Sequence, residues 1–223
     1  MHVRSESPIL YFGTPVVLIS TLNEDGTANL APMSSAWWLG WRCVLGLDAS
    51  SKTTENLRRT GQCVLNLPSA DQVDAVDALA RTTGTNPVPE RKVARGYRHE
   101  PDKFARAGLT PVASELVGPP RAAQCPVQME ATVADSWPLA GENAQFRGFA
   151  IAFELGVERL HLSEDILSDG NPDRVDPDRW RPLMMSFAEF YGLGAGVLRP
   201  SELAKIPQRL YPRAGVGLVS GSR

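Results

Sequence analysis

Short apolar, β-branched runs bounded by turn residues recur along the first third of the chain. Thr14-Pro15-Val16-Val17-Leu18-Ile19-Ser20-Thr21 predicts a strand. Asn23-Glu24-Asp25-Gly26 is a hairpin turn signal and leads to a second strand at about 27–30. Small residues fill positions 31–36, interrupted by Pro32. Further strands are predicted at 43–47 and 62–68, with a short helix between them that ends before Gly61. Ser69-Ala70-Asp71-Gln72 has the spacing of a capping box. It opens a helix with Val73, Val76, Leu79 and Ala80 on one face, expected to end near Arg81. Residues 82–100 hold Gly84, Pro87, Pro89 and Gly96 among many charges and read as a long loop, a length usual for functional or mobile segments. Pro101 opens a helical turn over 102–107, which Gly108 closes.

The second half is again β-rich. Val127, Met129, Ala131 and Val133 alternate with Gln128, Glu130 and Thr132, which predicts a strand with one buried face. Residues 147–162 suffice for one long strand, or for two with a bend near Gly156. The expected class is therefore mainly β with a few short helices, the strands closing into an antiparallel barrel. Strands do not alternate with long helices and no Gly-x-Gly-x-x-Gly occurs, which argues against a Rossmann sheet. We expect one domain over 1–200 and a C-terminal tail over 201–223, either a disordered end or an arm onto a partner.

Composition narrows the function classes. The 223 residues are 43% apolar and 22% charged, as in a soluble globular protein. A net charge of −2 argues against nucleic acid as a partner. No apolar run reaches the ~20 residues of a membrane helix, and the N-terminus lacks a signal-peptide hydrophobic region, so a cytoplasmic location without membrane attachment is expected. Cys43, Cys63 and Cys125 read as buried free thiols of a reducing compartment. His2, His99 and His161 are scattered, so no metal site is expected. His161 alternates with Leu160 and Leu162 on the polar face of a strand.

The chemistry concentrates at the strand-to-helix junction Ala49-Ser50-Ser51-Lys52-Thr53-Thr54-Glu55-Asn56-Leu57. Hydroxyls, an ammonium and free helix N-terminal amides meet there, and all three stabilise an anion such as phosphate. No Gly-x-x-x-x-Gly-Lys precedes it, so it is not a Walker loop. A plain Ser/Thr-rich N-cap is the competing reading. Asn56 falls on the helical face of Thr53, where it either holds the loop in shape or meets the ligand.

In order and spacing, several segments together resemble the flavin reductase-like family of FMN-binding split barrels. They are Pro-Val-Val-Leu-Ile-Ser-Thr from Pro15, the Asp25-Gly26 turn, Asn29-Leu30-Ala31-Pro32-Met33-Ser34, Ser-x-Lys-Thr-x-x-Asn-Leu from Ser50 to Leu57, and Val64-Leu65-Asn66-Leu67-Pro68. Later pieces agree: Asp102-Lys103-Phe104, Gly108-Leu109-Thr110-Pro111, Cys125-Pro126-Val127-Gln128-Met129-Glu130, and Val175-Asp176-Pro177 through Trp180-Arg181-Pro182-Leu183. The resemblance covers roughly residues 10–200. It implies a Greek-key split β-barrel that binds FMN, with FAD as the alternative flavin and NAD(P)H as co-substrate.

By that resemblance, Ala49, Ser50, Ser51, Lys52, Thr53 and Asn56 surround the flavin phosphate, and Ala31, Pro32, Met33, Ser34 and Ser35 lie against the isoalloxazine ring. Ser34 is expected nearest the ring's N5–O4 edge, unless Ser34 and Ser35 only turn the chain. Trp37, Trp38 and Trp41 suit core or dimer packing better than ring stacking. Lys103 is either a residue on the substrate side of the flavin or a solvated helix residue. Arg121 is a candidate partner of Glu130 or Glu115. No catalytic protein residue is assigned, because a flavin carries the chemistry itself.

The implied activity moves electrons from NAD(P)H through FMN to a flavin-using partner, such as a flavin-dependent monooxygenase, or to a small-molecule acceptor. The resemblance also implies a homodimer. A flavin- or ligand-binding split-barrel module without reductase turnover is the alternative.

Overall fold

The structure, a computed structural model, describes residues 1–144, 146–199 and 201–207. Seven strands form its main sheet: β1 (Val17–Leu22), β2 (Ala28–Met33), β3 (Ala36–Leu39), β4 (Arg42–Asp48), β5 (Gln62–Leu67), β6 (Val127–Pro138) and β7 (Ala150–Leu162). Their order is β2-β1-β5-β6-β7-β4-β3, antiparallel throughout. The edge strands β2 and β3 are consecutive in the chain. Three residue steps from Met33 to Ala36 span at most ~11 Å. The sheet must therefore curl until its two edges face each other. Among the described residues β2 and β3 do not pair, so the barrel that the strand pattern suggested as closed is open along one seam, a split barrel as the resemblance implied.

Alternation along the strands fills the interior. Val17, Ile19, Cys43, Leu45, Cys63, Leu65, Phe153 and Leu155 share one buried core. The other face of β1 and β2 is buried as well. Val16, Leu18 and Leu30 pack under α2 (Val73–Asp77) and α4 (Lys103–Ala107) through Val76, Leu79, Phe104 and Ala107. Burial on both faces explains why the run from Val16 to Ile19 is continuously apolar. Each such fully buried side chain contributes roughly 1.5–3 kcal/mol.

Several expected elements differ in detail. The capping box at Ser69 forms, but its first turn is a 3₁₀ segment (Ala70–Gln72) and α2 stops at Asp77. The chain then turns through Arg81, whose φ of 53° cannot continue a right-handed helix. Residues 82–100 are no bare loop. Thr82–Thr83 pairs in parallel with Arg98–His99, tying the base of a segment that carries a one-turn helix, α3 (Glu90–Val93). Asp102, rather than Pro101, caps α4 by accepting from the Ala105 amide at 3.0 Å. The first part of β6 is buried on both faces, because Gln128 and Glu130 are buried along with Val127, Met129 and Ala131, while its end is exposed. β7 runs unbroken through Gly156, and the register against β6 shifts opposite Glu158 instead.

A small three-stranded sheet of Thr14–Pro15, Met184–Ser186 and Glu189–Tyr191 adjoins the barrel. The start of the C-terminal tail holds a 3₁₀ turn (Glu202–Lys205), and positions 208–223 lie outside the described residues.

Candidate functional site

The junction after β4 is built by local hydrogen bonds. Asp48 Oδ1 accepts from the Ser50 amide at 2.8 Å and from Ser50 Oγ at 2.9 Å. Ser51 is the N-cap of α1 (Lys52–Thr60), its Oγ accepting from the Thr54 amide at 3.1 Å. Gly61 closes α1 in the left-handed conformation, which lets its amide donate to the Leu57 carbonyl. Among the described residues, the amides of Lys52 and Thr53 donate to nothing, which leaves two N–H groups at the positive end of a nine-residue helix.

Two predicted residues point inward and fix the helix. Thr53 Oγ1 accepts from Asn29 Nδ2 at 3.2 Å. Asn56 Nδ2 donates to Thr21 Oγ1 and Asn23 Oδ1, each at 3.0 Å, and so anchors α1 to the first hairpin. Lys52 keeps its ammonium 2.6 Å from Glu55 Oε1. Its stem lies against Gly84, where a Cβ would come 3.0 Å from Lys52 Cγ and 2.8 Å from Asn29 Oδ1. Only glycine allows the 82–100 segment to approach so closely.

That segment supplies residues that local sequence reading missed. Arg91 donates to Asp48 Oδ1 at 2.5 Å and to Ser50 Oγ, with its guanidinium 5.3 Å from the centre of the Phe149 ring. Burial pushes the Asp48 carboxyl up, but its bonds from Ser50 and the charges of Lys92 and Arg91 outweigh that and hold it below its ordinary value. Lys92 is only 6% exposed, and burial lowers its pKa, with Asp48 opposing and Arg91 and Arg95 reinforcing the shift. Lys103, at the start of α4, is only 3% exposed rather than solvated. Burial, reinforced by the charge of Lys92 and opposed by Glu100, brings its pKa down to about 8.

Among the described residues neither ammonium forms a hydrogen bond or ion pair, although Lys92 Nζ sits 6.0 Å from the Tyr97 ring centre. Two more buried polar atoms nearby lack partners: Asn29 Oδ1 and Thr85 Oγ1. Buried polar groups in folded proteins are nearly always satisfied, so this cluster of open donors and acceptors fits a ligand with both anionic and hydroxyl groups.

The 31–36 segment is contiguous with this cluster. Ala31, Pro32 and Met33 close β2, and Ser34 and Ser35 cross the seam to Ala36 in β3. Pro32 is tolerated because β2 is an edge strand. Asn29, Ala31 and Met33 share one face of β2, at roughly 7 Å per two residues. The face that touches α1 at Asn29 thus continues to the seam. The Gly46 amide donates to the Ser35 carbonyl at 2.8 Å and pins the crossing.

Other candidates fall elsewhere. Trp38 and Trp41 pack against the barrel core, while Trp37 is exposed. Arg121 meets neither expected carboxylate. It donates to the Ala113 carbonyl and to Gln128 Oε1. Glu130 is instead held by the amides of Glu115, Leu116 and Val117 and by His161 Nε2 at 2.7 Å. Glu115 pairs with Arg159. Cys43, Cys63 and Cys125 are buried and free, and burial pushes each thiol well above its ordinary value.

The described residues thus form an open-seamed antiparallel barrel with a cationic, partly unsatisfied junction beside the 31–36 crossing. The family model "Flavin reductase like domain" matches residues 9–193, and the chain belongs to that flavin reductase-like family. It is 38% identical over 189 residues to YdfE of Bacillus subtilis (strain 168), covering 85% of this chain and 88% of that protein.

Among solved structures, the flavoredoxin of Desulfovibrio vulgaris (Miyazaki F) superposes with a TM-score of 0.72 at 20% identity, over 92% of this chain and 100% of that one. Nitrilotriacetate monooxygenase component B from Bacillus cereus gives 0.66 at 18% identity, over 85% and 88%. These likenesses establish the shared split-barrel fold. By family, the protein is a flavin-related oxidoreductase. No helix among the described residues is long and apolar enough to cross a membrane.

Proposed function

We propose that the protein is an FMN-dependent oxidoreductase that draws electrons from NAD(P)H and passes them to a flavin-using partner or a small-molecule acceptor. One observation carries this reading. Two buried ammonium groups with no ion pair or hydrogen bond among the described residues, two free helix amides and the unpartnered Asn29 Oδ1 lie on elements around the residue 31–36 crossing. An FMN phosphate supplies the missing charge, and ribityl hydroxyls supply the missing donors. Lys52, Lys92 and Lys103 would neutralise the phosphate, with Ser50, Ser51 and the Lys52 and Thr53 amides at the junction. Ala49 keeps the approach unobstructed, and Thr53 and Asn56 orient α1. Ala31, Pro32, Met33, Ser34 and Ser35 offer a flat, small-residue surface at the seam for a planar ring.

When bound, the isoalloxazine supplies the redox chemistry. The chain itself contributes binding, orientation and partial exclusion of water. A homodimer fits the unpaired edge of β3 with Trp37 and Leu39 exposed on it. A monooxygenase partner is consistent with the likeness to a monooxygenase component. The three buried free thiols fit a cytoplasmic location.

Fluorescence-quenching titration tests the binding. FMN is expected to bind at about one per subunit and much more tightly than riboflavin, because the phosphate contributes charge-assisted hydrogen bonds of about 1.5–3 kcal/mol. Equal affinities would remove the phosphate site. Anaerobic mixing of the FMN-loaded protein with NADH or NADPH is then expected to bleach the oxidised flavin band. FMN binding without bleaching by either donor would leave the non-catalytic flavin-binding module as the function.

A further inference from the structure

A cavity of about 850 Å³ lies at the far end of β7 from the α1 junction. Ala150 begins β7 paired with Asp48, whereas His161 and Leu162 end the strand and line this cavity. Its volume is within the ~300–1,000 Å³ usual for small-molecule sites. Trp180, Leu162 and Pro126 supply apolar surface, and Trp180 is half-buried against the barrel core.

Two partly buried guanidiniums line the cavity, those of Arg121 and Arg181. Neither has a carboxylate partner among the described residues. Arg121 is held in one orientation. Its Nε and Nη2 donate to the Ala113 carbonyl at 3.3 and 3.1 Å, and its Nη1 donates to Gln128 Oε1 at 3.0 Å. Gln128 is itself buried, with its Nε2 fixed on the Ala122 and Cys125 carbonyls. Arg181 donates once, from Nη1 to the Gly194 carbonyl at 3.2 Å. A guanidinium has five N–H donors, so both arginines keep donors for a ligand. The other cationic groups on the wall are already engaged: Arg179 by Asp169 and Asp176, His161 by Glu130.

These charges narrow the ligand class. A partly buried guanidinium without a counter-charge favours a planar oxyanion that its fork can bind twice. Asp71 and Asp165 also line the cavity, and both are exposed. They repel a doubly charged phosphate ester more than a singly charged carboxylate. The indole of Trp180 suits a flat apolar body.

We propose that this cavity binds a small aromatic carboxylate, anchored by Arg121 and Arg181 with its ring on Trp180. The site is separate from the α1 junction and does not depend on the flavin reading.

Calorimetric titration of the full chain with benzoate, with and without FMN, tests it. Benzoate is expected to saturate one site per subunit. It is expected to bind at least tenfold more tightly than uncharged benzamide, and more tightly than phenyl phosphate. Arg121→Gln and Arg181→Gln are each expected to weaken benzoate about tenfold or more, the loss of one charge-assisted hydrogen bond. Trp180→Ala is expected to weaken benzoate and benzamide alike. Thermal unfolding reports whether each variant folds, and Arg181→Gln removes only one backbone contact, so it decides the matter should Arg121→Gln unfold. No benzoate binding, equal affinity for benzamide, or unchanged affinity in Arg181→Gln overturns the proposal. Tighter binding of phenyl phosphate to the FMN-loaded protein overturns the carboxylate assignment. Displacement of benzoate by FMN would place benzoate at the α1 junction and overturn the proposal as well. If FMN itself does not bind, the flavin reading fails, while the benzoate titration still decides this one.

Discussion

The barrel buries charge in two places and treats it in opposite ways. At Glu130, fully buried in β6, the carboxylate receives three backbone N–H groups and His161. Burial raises its pKa, but those bonds outweigh the effect and hold the carboxyl below its ordinary value. At the α1 junction, Lys92 and Lys103 are nearly as buried and have no such partners among the described residues, and both are shifted toward neutrality. A buried charge that is fully answered belongs to the fold. One left unanswered lowers stability until something binds. The difference locates the site more sharply than the helix N-terminus alone, which any Ser/Thr cap would explain.

The largest expected effect tests the answered charge. Glu130→Ala strands three amides and the His161 imidazole, and should cost about 3–5 kcal/mol, the range for breaking a buried ionic pair. Denaturant midpoints measure it, while the FMN affinity of the folded protein should hold. A large loss of FMN affinity with little loss of stability would reverse the roles of the two regions.

The unanswered charge should behave the other way. Lys103→Met should stabilise the protein without flavin at neutral pH and weaken FMN binding. The shift from 10.5 to about 8 corresponds to an energy on the order of 3 kcal/mol. The sign follows from linkage. The pKa is lower in the folded protein, so the unfolded chain binds more protons between pH 8 and 10.5. The penalty is complete below pH 8 and disappears as pH rises through that window. Wild-type stability without flavin should gain there relative to Lys103→Met, and wild-type FMN affinity should fall as Lys103 loses its charge. Thermal unfolding with and without FMN at pH 7 and pH 9.5 checks both. A parallel pH dependence in wild type and Lys103→Met sinks the assignment.

The smallest effect concerns Lys52, whose ammonium already has Glu55. Lys52→Ala should weaken FMN by about 1.5–3 kcal/mol with the fold intact, since its contribution is a charge-assisted contact rather than packing. Unchanged FMN affinity would confine the anion site to the helix amides and the two buried lysines.

Much of the fold was legible because it is local. The Asn23–Gly26 turn, the strand before Asp48, the cap at Ser51 and the stop at Gly61 depend on neighbours in the chain. All four appear where the residue pattern places them. The end of α2 and the parallel pairing inside 82–100 were not legible, because each depends on what lies across space.

The same holds for the site. The donors proposed to hold a phosphate, from Ser50 to Thr53, are visible in the sequence as one run. Arg91 and Lys92 read as charges in a loop, and Lys103 as either a residue on the substrate side of the flavin or the solvated side of a short helix. The apolar face of α4, set by Phe104 and Ala107, gives no sign that Lys103 is buried as well.

The sequence by itself determined most strands of the main sheet, though not β3 (Ala36–Leu39), their turns, the helix start that exposes two amides, and the family to which their order belongs. The resemblance implied a split barrel, and tertiary structure placed its open seam between β2 and β3. Tertiary structure also decided that Gly84 lets the 82–100 segment reach Lys52, and that two lysines from separate segments are buried with no ion pair or hydrogen bond among the described residues. The physical reason is range. Turn and cap preferences act within a few residues, whereas desolvation and Coulomb interactions depend on distances in space, which the fold sets.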